Sequence, residues 1–341
     1  MKGVVFLGKS QCVVKELTTP EPSLGQVLVR LKAAGLCGSD LHLYRGLSKE
    51  EAERRGDRVP GHEPAGVVER VGQGVSRVKV GDRVSVYHYL GCGHCKYCAS
   101  GYLPWCREAR GYGGAVNGAH ADFLLADERN CVPLPAPLTF GDGAFIACAG
   151  GTAYSALKKL ALTSGQTILV VGLGPVGLSA VLLAKAMRAR VIGVDLVQER
   201  LELAHKLGAQ AALPAAAAPV AALQRLTDGQ GVDAAIETSG STDGRRNLLA
   251  ALRRGGRAAF LGVGSREPVI NPTDLIHRQL TLMGSFVLPL GMAWELVEFL
   301  VNHQLSFEPA VTHRFRIEQA PEAYRLFETG KTGKVMFVWE G

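Results

Sequence analysis

Four cysteines are crowded into the stretch 91–107, at spacings typical of metal ligands. They are Cys92, Cys95, Cys98 and Cys106. Four thiolates so close in sequence can surround one tetrahedral ion and leave no coordination position open, as in a structural zinc site. Two disulfides are the alternative, which is disfavoured because a CxxC loop strains a disulfide and reducing compartments keep thiols free. We interpret His94, inside the same stretch, as a solvated bystander because the cysteines already fill four positions.

A second set of possible zinc ligands is spread more widely. Cys37 lies in the segment GLCGSDLH, and His62 and Glu63 follow in PGHEPAGVV, with His62 standing 25 residues after Cys37. A thiolate, an imidazole and carboxylates gathered in one pocket would offer the sulfur and nitrogen donors that Zn²⁺ prefers. The spacing leaves this open, because a single cysteine and a single histidine are more often core or surface residues.

The stretch from Ile168 to Asp195 predicts a strand, a glycine turn, a helix and a second strand. Its turn, GLGPVG, permits a tight bend, a close approach of the backbone to a pyrophosphate, and close packing of helix on strand. The helix N-terminus favours an anion, so we expect a dinucleotide site. The predicted contacts of this turn are Gly172, Gly174, Pro175, Val176 and Gly177.

The acidic residue Asp195 ends the second strand of this unit. Its carboxylate could accept hydrogen bonds from the adenosine ribose and would repel a 2′-phosphate, which favours NAD over NADP. Arg200 lies close enough in sequence to soften that preference.

The remaining sequence predicts an α/β protein of two domains. Short strands punctuated by proline and glycine begin a β-rich domain. After position 166, predicted strands at 208–214, 232–239 and 257–263 alternate with helices at 199–207, 219–226 and 245–253, which implies a doubly wound parallel sheet covered on both faces. The alanine run at 215–218 favours a loop or the start of a helix.

Composition excludes several classes of function. The formal net charge is +7, but the basic residues are scattered, and no basic block with interleaved aromatics predicts nucleic-acid binding. The N-terminus has no apolar segment of the kind a signal peptide needs, so we expect a cytoplasmic location. Glycines and a proline disfavour a membrane span at 167–187, the most apolar stretch.

The segments GLCGSDLH, PGHEPAGVV, the four-cysteine stretch, ACAGGTAYSAL and GLGPVG, in this order, resemble the zinc-dependent medium-chain alcohol and polyol dehydrogenases. The resemblance extends over essentially the whole chain. It implies a GroES-like β-rich catalytic domain at 1–148 and 287–341, with a structural-zinc lobe at 91–107. It also implies a Rossmann domain at 149–286, with zinc and nicotinamide held between the domains.

The resemblance further implies how the zinc site is built. Cys37, His62 and Cys148 would be the ligands of a catalytic zinc. Glu63 would lie just behind the metal, and Asp40 would orient His62 through its other ring nitrogen. Many polyol and threonine dehydrogenases have a carboxylate where Cys148 stands, which weakens a simple assignment to sorbitol.

Proton transfer and cofactor contacts are also implied. Ser39, the cofactor ribose and His42 resemble the family's proton relay. Many members have an arginine where Gly38 stands, in contact with the pyrophosphate, and we expect Lys334 to supply that positive charge here.

The leading hypothesis is an NAD-dependent zinc alcohol dehydrogenase that acts on a secondary alcohol or polyol, with one catalytic and one structural Zn²⁺ per chain. Zinc would lower the pKa of a bound hydroxyl, and the nicotinamide would accept hydride. The polyol preference rests on the similarity of the segment 308–335 to sorbitol-type and threonine-type members.

Other functions stay open at this point. One is an NADP(H)-dependent primary-alcohol or aldehyde reductase, and another is a non-catalytic binding protein on the same fold. A zinc-free quinone or enoyl reductase of the same superfamily is disfavoured by the ligand set. We expect a small-molecule substrate, no nucleic-acid or membrane partner, and a homodimer or homotetramer that pairs through the last Rossmann strand near 280–286.

Overall fold

The computed structural model describes residues 1–215 and 219–339, so most of the alanine run at 215–218 lies outside the described residues. The chain divides into two compact units. The first comprises Met1–Gly151, Leu288–Thr329 and the chain from Lys334 onward, and the second comprises Thr152–Val287 and Gly330–Gly333. Among the described residues, no helix has both the length and the apolar character needed to cross a membrane.

The strands and helices of both units are numbered here along the chain. The strands are β1 (Lys2–Gly8), β2 (Gln11–Glu16), β3 (Gln26–Gly35), β4 (Pro64–Val71), β5 (Arg83–Val86), β6 (Tyr89–Leu90), β7 (Arg110–Gly111), β8 (Phe123–Asp127), β9 (Cys131–Pro133), β10 (Thr167–Val171), β11 (Arg190–Asp195), β12 (Ala211–Pro214), β13 (Val232–Glu237), β14 (Leu252–Phe260), β15 (Thr281–Gly284), β16 (Val311–Phe315) and β17 (Lys334–Val338). The α-helices are α1 (Gly38–Gly46), α2 (Lys49–Arg55), α3 (Lys96–Ala99), α4 (Phe140–Ala147), α5 (Ala149–Lys159), α6 (Pro175–Ala186), α7 (Gln198–Lys206), α8 (Pro219–Leu226), α9 (Thr242–Ala251), α10 (Pro272–Arg278), α11 (Leu290–Asn302) and α12 (Ala320–Glu328).

The first unit is built on a seven-stranded sheet with the order β16-β17-β3-β4-β5-β9, and β8 also pairs with β3. The ten-residue strand β3 is its centre, because three other strands pair with it. Strands β3 and β4 are antiparallel, with Ala34 opposite Pro64. The C-terminal end of β3 and the N-terminal end of β4 therefore lie side by side at one end of these strands.

Helix α4 packs against β3, β4 and β5 and ends immediately before Cys148. Its residues Gly141 to Ala147 are all buried, as expected for an apolar helix that covers a sheet. A capping box between Thr139 and Asp142 begins the helix. The position of Cys148 is thus set by packing rather than by its neighbours in sequence.

The second unit is a six-stranded sheet with the order β12-β11-β10-β13-β14-β15. Every neighbouring pair is parallel, which confirms the predicted parallel sheet. The chain proceeds outward from β10 through β11 to β12 and then returns to the other side of β10 at β13. Ligands of open α/β sheets bind at the carboxyl ends of the strands beside such a reversal.

Several predicted boundaries in this unit differ from the structure by a few residues. Helix α9 begins at Thr242 rather than near 245, because the Ser241 side chain accepts a hydrogen bond from the Gly244 N–H and caps the helix there. Strand β14 begins at Leu252 rather than 257, and its register with β13 shifts between Val232 and Ala234. Capping and bulges of this kind move the ends of elements without changing their order.

The buried carboxylate of Asp142 should contribute strongly to the stability of the first unit. It accepts hydrogen bonds from Thr139 N (2.9 Å), Ser306 Oγ (2.8 Å) and Phe307 N (2.7 Å), so it joins the start of α4 to a segment far away in sequence. Asp142→Ala leaves these donors unpaired and should lower the free energy of unfolding by about 3 kcal/mol in urea denaturation. Thr139→Ala removes the cap and the hydroxyl contacts to Asp142 and Glu308 but leaves the Asp142 carboxylate with its other donors, and it should cost about 1 kcal/mol. An equal decrease in the free energy of unfolding in the two variants would contradict the larger role given to Asp142.

Candidate metal centre and nucleotide site

Four side chains meet at the edge of the first unit's sheet. They are Cys37, His62, Glu63 and Cys148, whose ligand atoms all lie within 4.8 Å of one another. Cys37 follows β3 by two residues and His62 precedes β4 by two, so the antiparallel pairing of these strands brings them together. Cys148 arrives from the end of α4. The structure thus gathers the residues that the sequence and the family resemblance together proposed.

Asp40 fixes the orientation of the His62 ring. Its Oδ1 lies 3.0 Å from His62 Nδ1, and its Oδ2 accepts a hydrogen bond from the Cys37 N–H at 2.9 Å. Burial disfavours the charged imidazolium, but Asp40 and Cys37 outweigh it and raise the pKa of His62 well above its ordinary value. The proton is held at Nδ1, which leaves Nε2 as the atom that can bind a metal.

The two thiols of this cluster ionise unequally. Their mutual hydrogen bond, assisted by the nearby His62, lowers the pKa of Cys37 well below its ordinary value. The same hydrogen bond and burial raise the pKa of Cys148. One thiolate therefore forms readily beside a second sulfur, and a thiolate is the form of cysteine that binds metal.

The prediction that Lys334 contacts a pyrophosphate is wrong. Its side chain has no exposed surface, and its ammonium group forms an ion pair with the equally buried Glu63 and donates to Leu36 O at 3.0 Å. An ammonium so enclosed cannot also bind a phosphate. Burial raises the pKa of Glu63 to about 7, although the Lys334 charge opposes that shift.

The residues of the predicted proton relay lie at the start of α1. Ser39 Oγ is 3.2 Å from His62 Nε2 and 3.4 Å from Cys37 Sγ, and the side chain is exposed. His42 is also exposed and lies three residues further along the helix. A Cβ added at Gly38 would meet no heavy atom within 4 Å.

The four cysteines of the stretch 91–107 also converge. The ligand atoms of Cys92, Cys95, Cys98 and Cys106 lie within 4.8 Å of one another. The Cys98 Sγ is 3.9 Å from that of Cys92 and 3.6 Å from that of Cys95. Tetrahedral coordination with Zn–S bonds of about 2.3 Å separates sulfurs by about 3.8 Å, so these distances fit zinc.

Local hydrogen bonds also affect the charge of this cluster. Backbone N–H groups lower the pKa of Cys92 to about 6, which favours a thiolate before any metal binds. His94 is exposed, and its Nδ1 lies 3.1 Å from the Cys92 carbonyl oxygen.

A cavity of about 450 Å³ lies at the carboxyl ends of the parallel strands in the second unit. Its lining includes Gly172, Gly174, Asp195, Arg200, Thr238 and Ser241. Gly172 has a φ of +86°, and a side chain there would lie 2.8 Å from the backbone of Ser239. A side chain at Gly177 would lie 1.9 Å from the Gly172 carbonyl oxygen. Pro175 and Val176 begin helix α6, whose N-terminus follows this turn.

Asp195 is held by two backbone groups. Its carboxylate accepts hydrogen bonds from Leu173 N at 2.6 Å and from Val197 N at 2.9 Å. The bond to Leu173 directs the carboxylate toward the glycine loop. Arg200 Nη1 lies 3.9 Å from the Asp195 carboxylate, and Arg200 Nε donates to Thr332 O. Both residues line the cavity, with Asp195 only 8 % exposed.

One residue beside the metal cluster escaped the sequence analysis. His88 is buried, its ring centroid lies 5.3 Å from that of His62, and its Nδ1 lies 2.6 Å from Ala147 O. Strands β4 and β5 pair Ala65 with Ser85, and continuing this register places His88 opposite His62. No spacing motif marks a residue that reaches the site through strand register alone.

Comparison with known proteins agrees with the fold. The family described as "Alcohol dehydrogenase GroES-like domain" matches residues 23–136, and the family described as "Zinc-binding dehydrogenase" matches residues 175–302. The zinc-type alcohol dehydrogenase-like protein YphC of Escherichia coli K12 is 38 % identical over 96 % of both chains. An L-threonine 3-dehydrogenase of Coxiella burnetii is 32 % identical over 94 % of both chains.

Solved structures show the same similarity. Alcohol dehydrogenase TADH from Thermus sp. ATN1 has a TM-score of 0.90 and 32 % identity over 99 % of both chains. The alcohol dehydrogenase RspB from E. coli CFT073, complexed with NADH, has a TM-score of 0.88 and 27 % identity over 99 % of both chains. A GroES-like unit with a Rossmann-like unit defines a medium-chain dehydrogenase. The chain belongs to the zinc-dependent medium-chain dehydrogenase family and is an oxidoreductase of the zinc-type alcohol dehydrogenase group.

The burial of His88 predicts how stability depends on pH. Burial, reinforced by positive charge on His62, lowers the pKa of His88 to about 3 from an ordinary 6.5. Between these values the unfolded chain binds a proton that the folded chain does not, so this contribution to stability falls as pH drops below 6.5. His88→Phe should therefore show a smaller loss of melting temperature between pH 7 and pH 5 than the wild type.

The matched control is Tyr87→Phe, which alters a neighbouring buried ring but removes no group that titrates in this range. Its melting temperature should fall between pH 7 and pH 5 by as much as that of the wild type. If the melting temperature of His88→Phe falls as much, the imidazole is not held neutral by burial.

Proposed function

We propose that this protein is an NAD-dependent zinc alcohol dehydrogenase that oxidises a secondary alcohol or polyol reversibly to the ketone. The observation that carries the proposal is the cluster of Cys37, His62 and Cys148, with Asp40 fixing the His62 ring. Two sulfurs and one imidazole nitrogen suit zinc and leave a fourth position for substrate. The proposal includes the two domains expected from the sequence. The GroES-like domain, residues 1–148 and 287–341, would hold both metal sites, and the Rossmann domain, residues 149–286, would hold the cofactor.

The residues around the cluster suit this chemistry. Zinc held there would supply Lewis acidity that lowers the pKa of an alcohol hydroxyl, and NAD would accept the hydride. Ser39 Oγ, 3.2 Å from His62 Nε2 and exposed, would accept the alcohol's proton while it gives up its own hydroxyl proton to the next member of the relay. His42, exposed one helical turn further on, would pass that proton toward water.

The cofactor assignment rests on the second unit. The cavity at the carboxyl ends of β10 and β11 is lined by the glycine loop and by Asp195. Asp195 would accept hydrogen bonds from the ribose and disfavour a 2′-phosphate, and Arg200 would lie near the same ribose. The related RspB is described in complex with NADH.

We also propose a homodimer or homotetramer. Strand β15 lies at the edge of the six-stranded sheet, which leaves one side of it available for pairing with the same strand of a second copy.

The metal sites predict zinc content. The protein purified with zinc should contain about two ions per chain by mass spectrometry, one in each cluster. Cys37→Ser and Cys106→Ser should each lower the content by about one, because each removes a ligand of a different site. Cys37→Ser should also abolish most of the alcohol oxidation.

Cys131→Ser is the control, because Cys131 is buried in β9 and belongs to neither cluster. It should keep both ions. Full activity of Cys37→Ser would contradict the catalytic assignment, and unchanged zinc in Cys106→Ser would contradict the structural one.

The cofactor preference is tested at Asp195. Asp195→Asn keeps an oxygen acceptor for only one of the Leu173 and Val197 N–H groups and removes the charge. Because the repulsion of a 2′-phosphate is lost, NADP use relative to NAD should rise by about tenfold or more in kcat/KM. Asp243→Asn removes another carboxylate that lines the cavity and is the matched control. If the ratio changes equally in both variants, the ribose is not recognised by Asp195.

A further inference from the structure

Two arginines of the first unit share one backbone carbonyl oxygen. Arg55, at the end of α2, donates from Nη1 to Gly114 O at 3.1 Å and from Nη2 to Gly113 O at 2.5 Å. Arg58 donates from Nη1 to the same Gly114 oxygen at 3.4 Å. The two guanidinium groups are therefore close neighbours, because both Nη1 atoms lie within hydrogen-bond distance of one oxygen.

These two positive charges have no acidic partner. Asp57, which lies between the two arginines in sequence, pairs instead with Lys15 at 2.7 Å. Glu51, one turn before Arg55 on α2, accepts a hydrogen bond from the Ser48 N–H at 2.8 Å. In the part of the chain that the structure describes, neither arginine forms an ion pair with a carboxylate. The protein itself therefore leaves two adjacent positive charges uncompensated.

Burial makes the uncompensated charge of Arg55 unfavourable. Its side chain is half-buried, and its Nε–H is a buried donor with no hydrogen-bond partner among the described residues. Burial and the charge of Arg58 both lower the pKa of Arg55, as expected when two guanidinium groups repel each other. Buried charges are normally paired, so this pair of arginines requires an anion from outside the chain.

The surface beside the shared carbonyl is open to such an anion. Gly114 is exposed, and a Cβ added there would have only the Gly111 carbonyl oxygen within 4 Å, at 3.6 Å. Arg58 donates a single N–H within the described chain, so further N–H groups of its guanidinium are available. Gly113 is buried, and a side chain there would lie 2.6 Å from the Gly61 carbonyl oxygen. The turn that carries the two carbonyls is therefore held in place by close backbone packing.

We propose that Arg55 and Arg58 bind a phosphate group, whose oxygens bridge the two guanidinium groups beside Gly114. Guanidinium groups match phosphate oxygens in bidentate geometry. A phosphate dianion also compensates both positive charges, whereas a carboxylate compensates only one. The phosphate is either free inorganic phosphate or the monoester of a small metabolite. The site shares no residue with the metal clusters or the nucleotide cavity, so it is independent of the proposed dehydrogenase activity.

Isothermal titration calorimetry of the zinc-loaded protein at pH 8 measures the Kd of inorganic phosphate. Saturating NADH fills the nucleotide cavity beforehand, and sodium chloride keeps the ionic strength constant. Phosphate and sulfate, as dianions, should bind saturably, and acetate should bind at least about tenfold more weakly. Glycerol 1-phosphate separates the two sources, because tighter binding than phosphate identifies a monoester and weaker binding identifies free phosphate.

The decisive variant is Arg58→Gln, since the only contact of this guanidinium in the described chain is the 3.4 Å bond to Gly114 and the fold should not depend on it. It should raise the Kd of phosphate about tenfold or more, because charge-assisted hydrogen bonds are lost. Arg58→Lys keeps the charge without the bidentate geometry and should recover part of the affinity. Arg54→Gln removes the same charge from an exposed position of α2 and should change the Kd less than about twofold.

Thermal unfolding gives a second readout. Phosphate should raise the melting temperature of the wild type and of Arg54→Gln more than that of Arg58→Gln, because a ligand of the folded chain stabilises it. Equal Kd values and equal thermal shifts in the two variants would identify an adventitious ion only and overturn the site. Absence of saturable binding of phosphate, sulfate and glycerol 1-phosphate to the wild type would overturn it as well. Alcohol oxidation, measured separately, decides the proposed function in either case.

Discussion

The antiparallel pairing of β3 with β4 is the constraint on which the metal cluster depends. Ala34 lies opposite Pro64, and the Gly35 N–H donates to the Glu63 carbonyl at 3.1 Å, so the ladder continues to the edge of the cluster. A slip of one residue would turn each side chain of a strand to the other face of the sheet. The buried, apolar face of β3 prevents that slip, and the positions of Cys37 and His62 follow from it.

His120 connects the two turns that carry these ligands. Its Nε2 donates to the Gly35 carbonyl at 3.2 Å, and its Nδ1 accepts from the Tyr324 hydroxyl at 2.7 Å. The neighbouring Gly61 has a φ of +91°, and a side chain there would come within 2.4 Å of the His120 ring. Burial lowers the pKa of His120, so the ring connects the two turns as a neutral group and adds no charge to the site.

Most of the correct predictions came from the spacing of residues that are close together in the sequence. The four-cysteine stretch, the glycine turn and the alternation of strands and helices are each short-range patterns, and each appears in the structure. Lys334 and His88 depend instead on which strands pair and in what register, which no spacing within the sequence reveals. The lysine prediction was wrong for this reason, since β17 pairs with β3 and buries the side chain against Glu63. Cys148 came from the family resemblance alone, because α4 delivers it from more than eighty residues away from His62.

Charge balance explains why a lysine is buried at this place. Apart from the Asp40 carboxylate, which is paired with His62, two thiolates and the Glu63 carboxylate would carry three negative charges, of which a bound zinc ion would neutralise two. The remaining charge is buried with no exposed surface on Glu63, where an unpaired carboxylate is very unfavourable. Lys334 supplies a positive charge through its ion pair with Glu63 and also donates a hydrogen bond to the Leu36 carbonyl. Lys334 therefore compensates the buried Glu63 carboxylate, and a neutral residue at this position would favour the protonated form of Glu63.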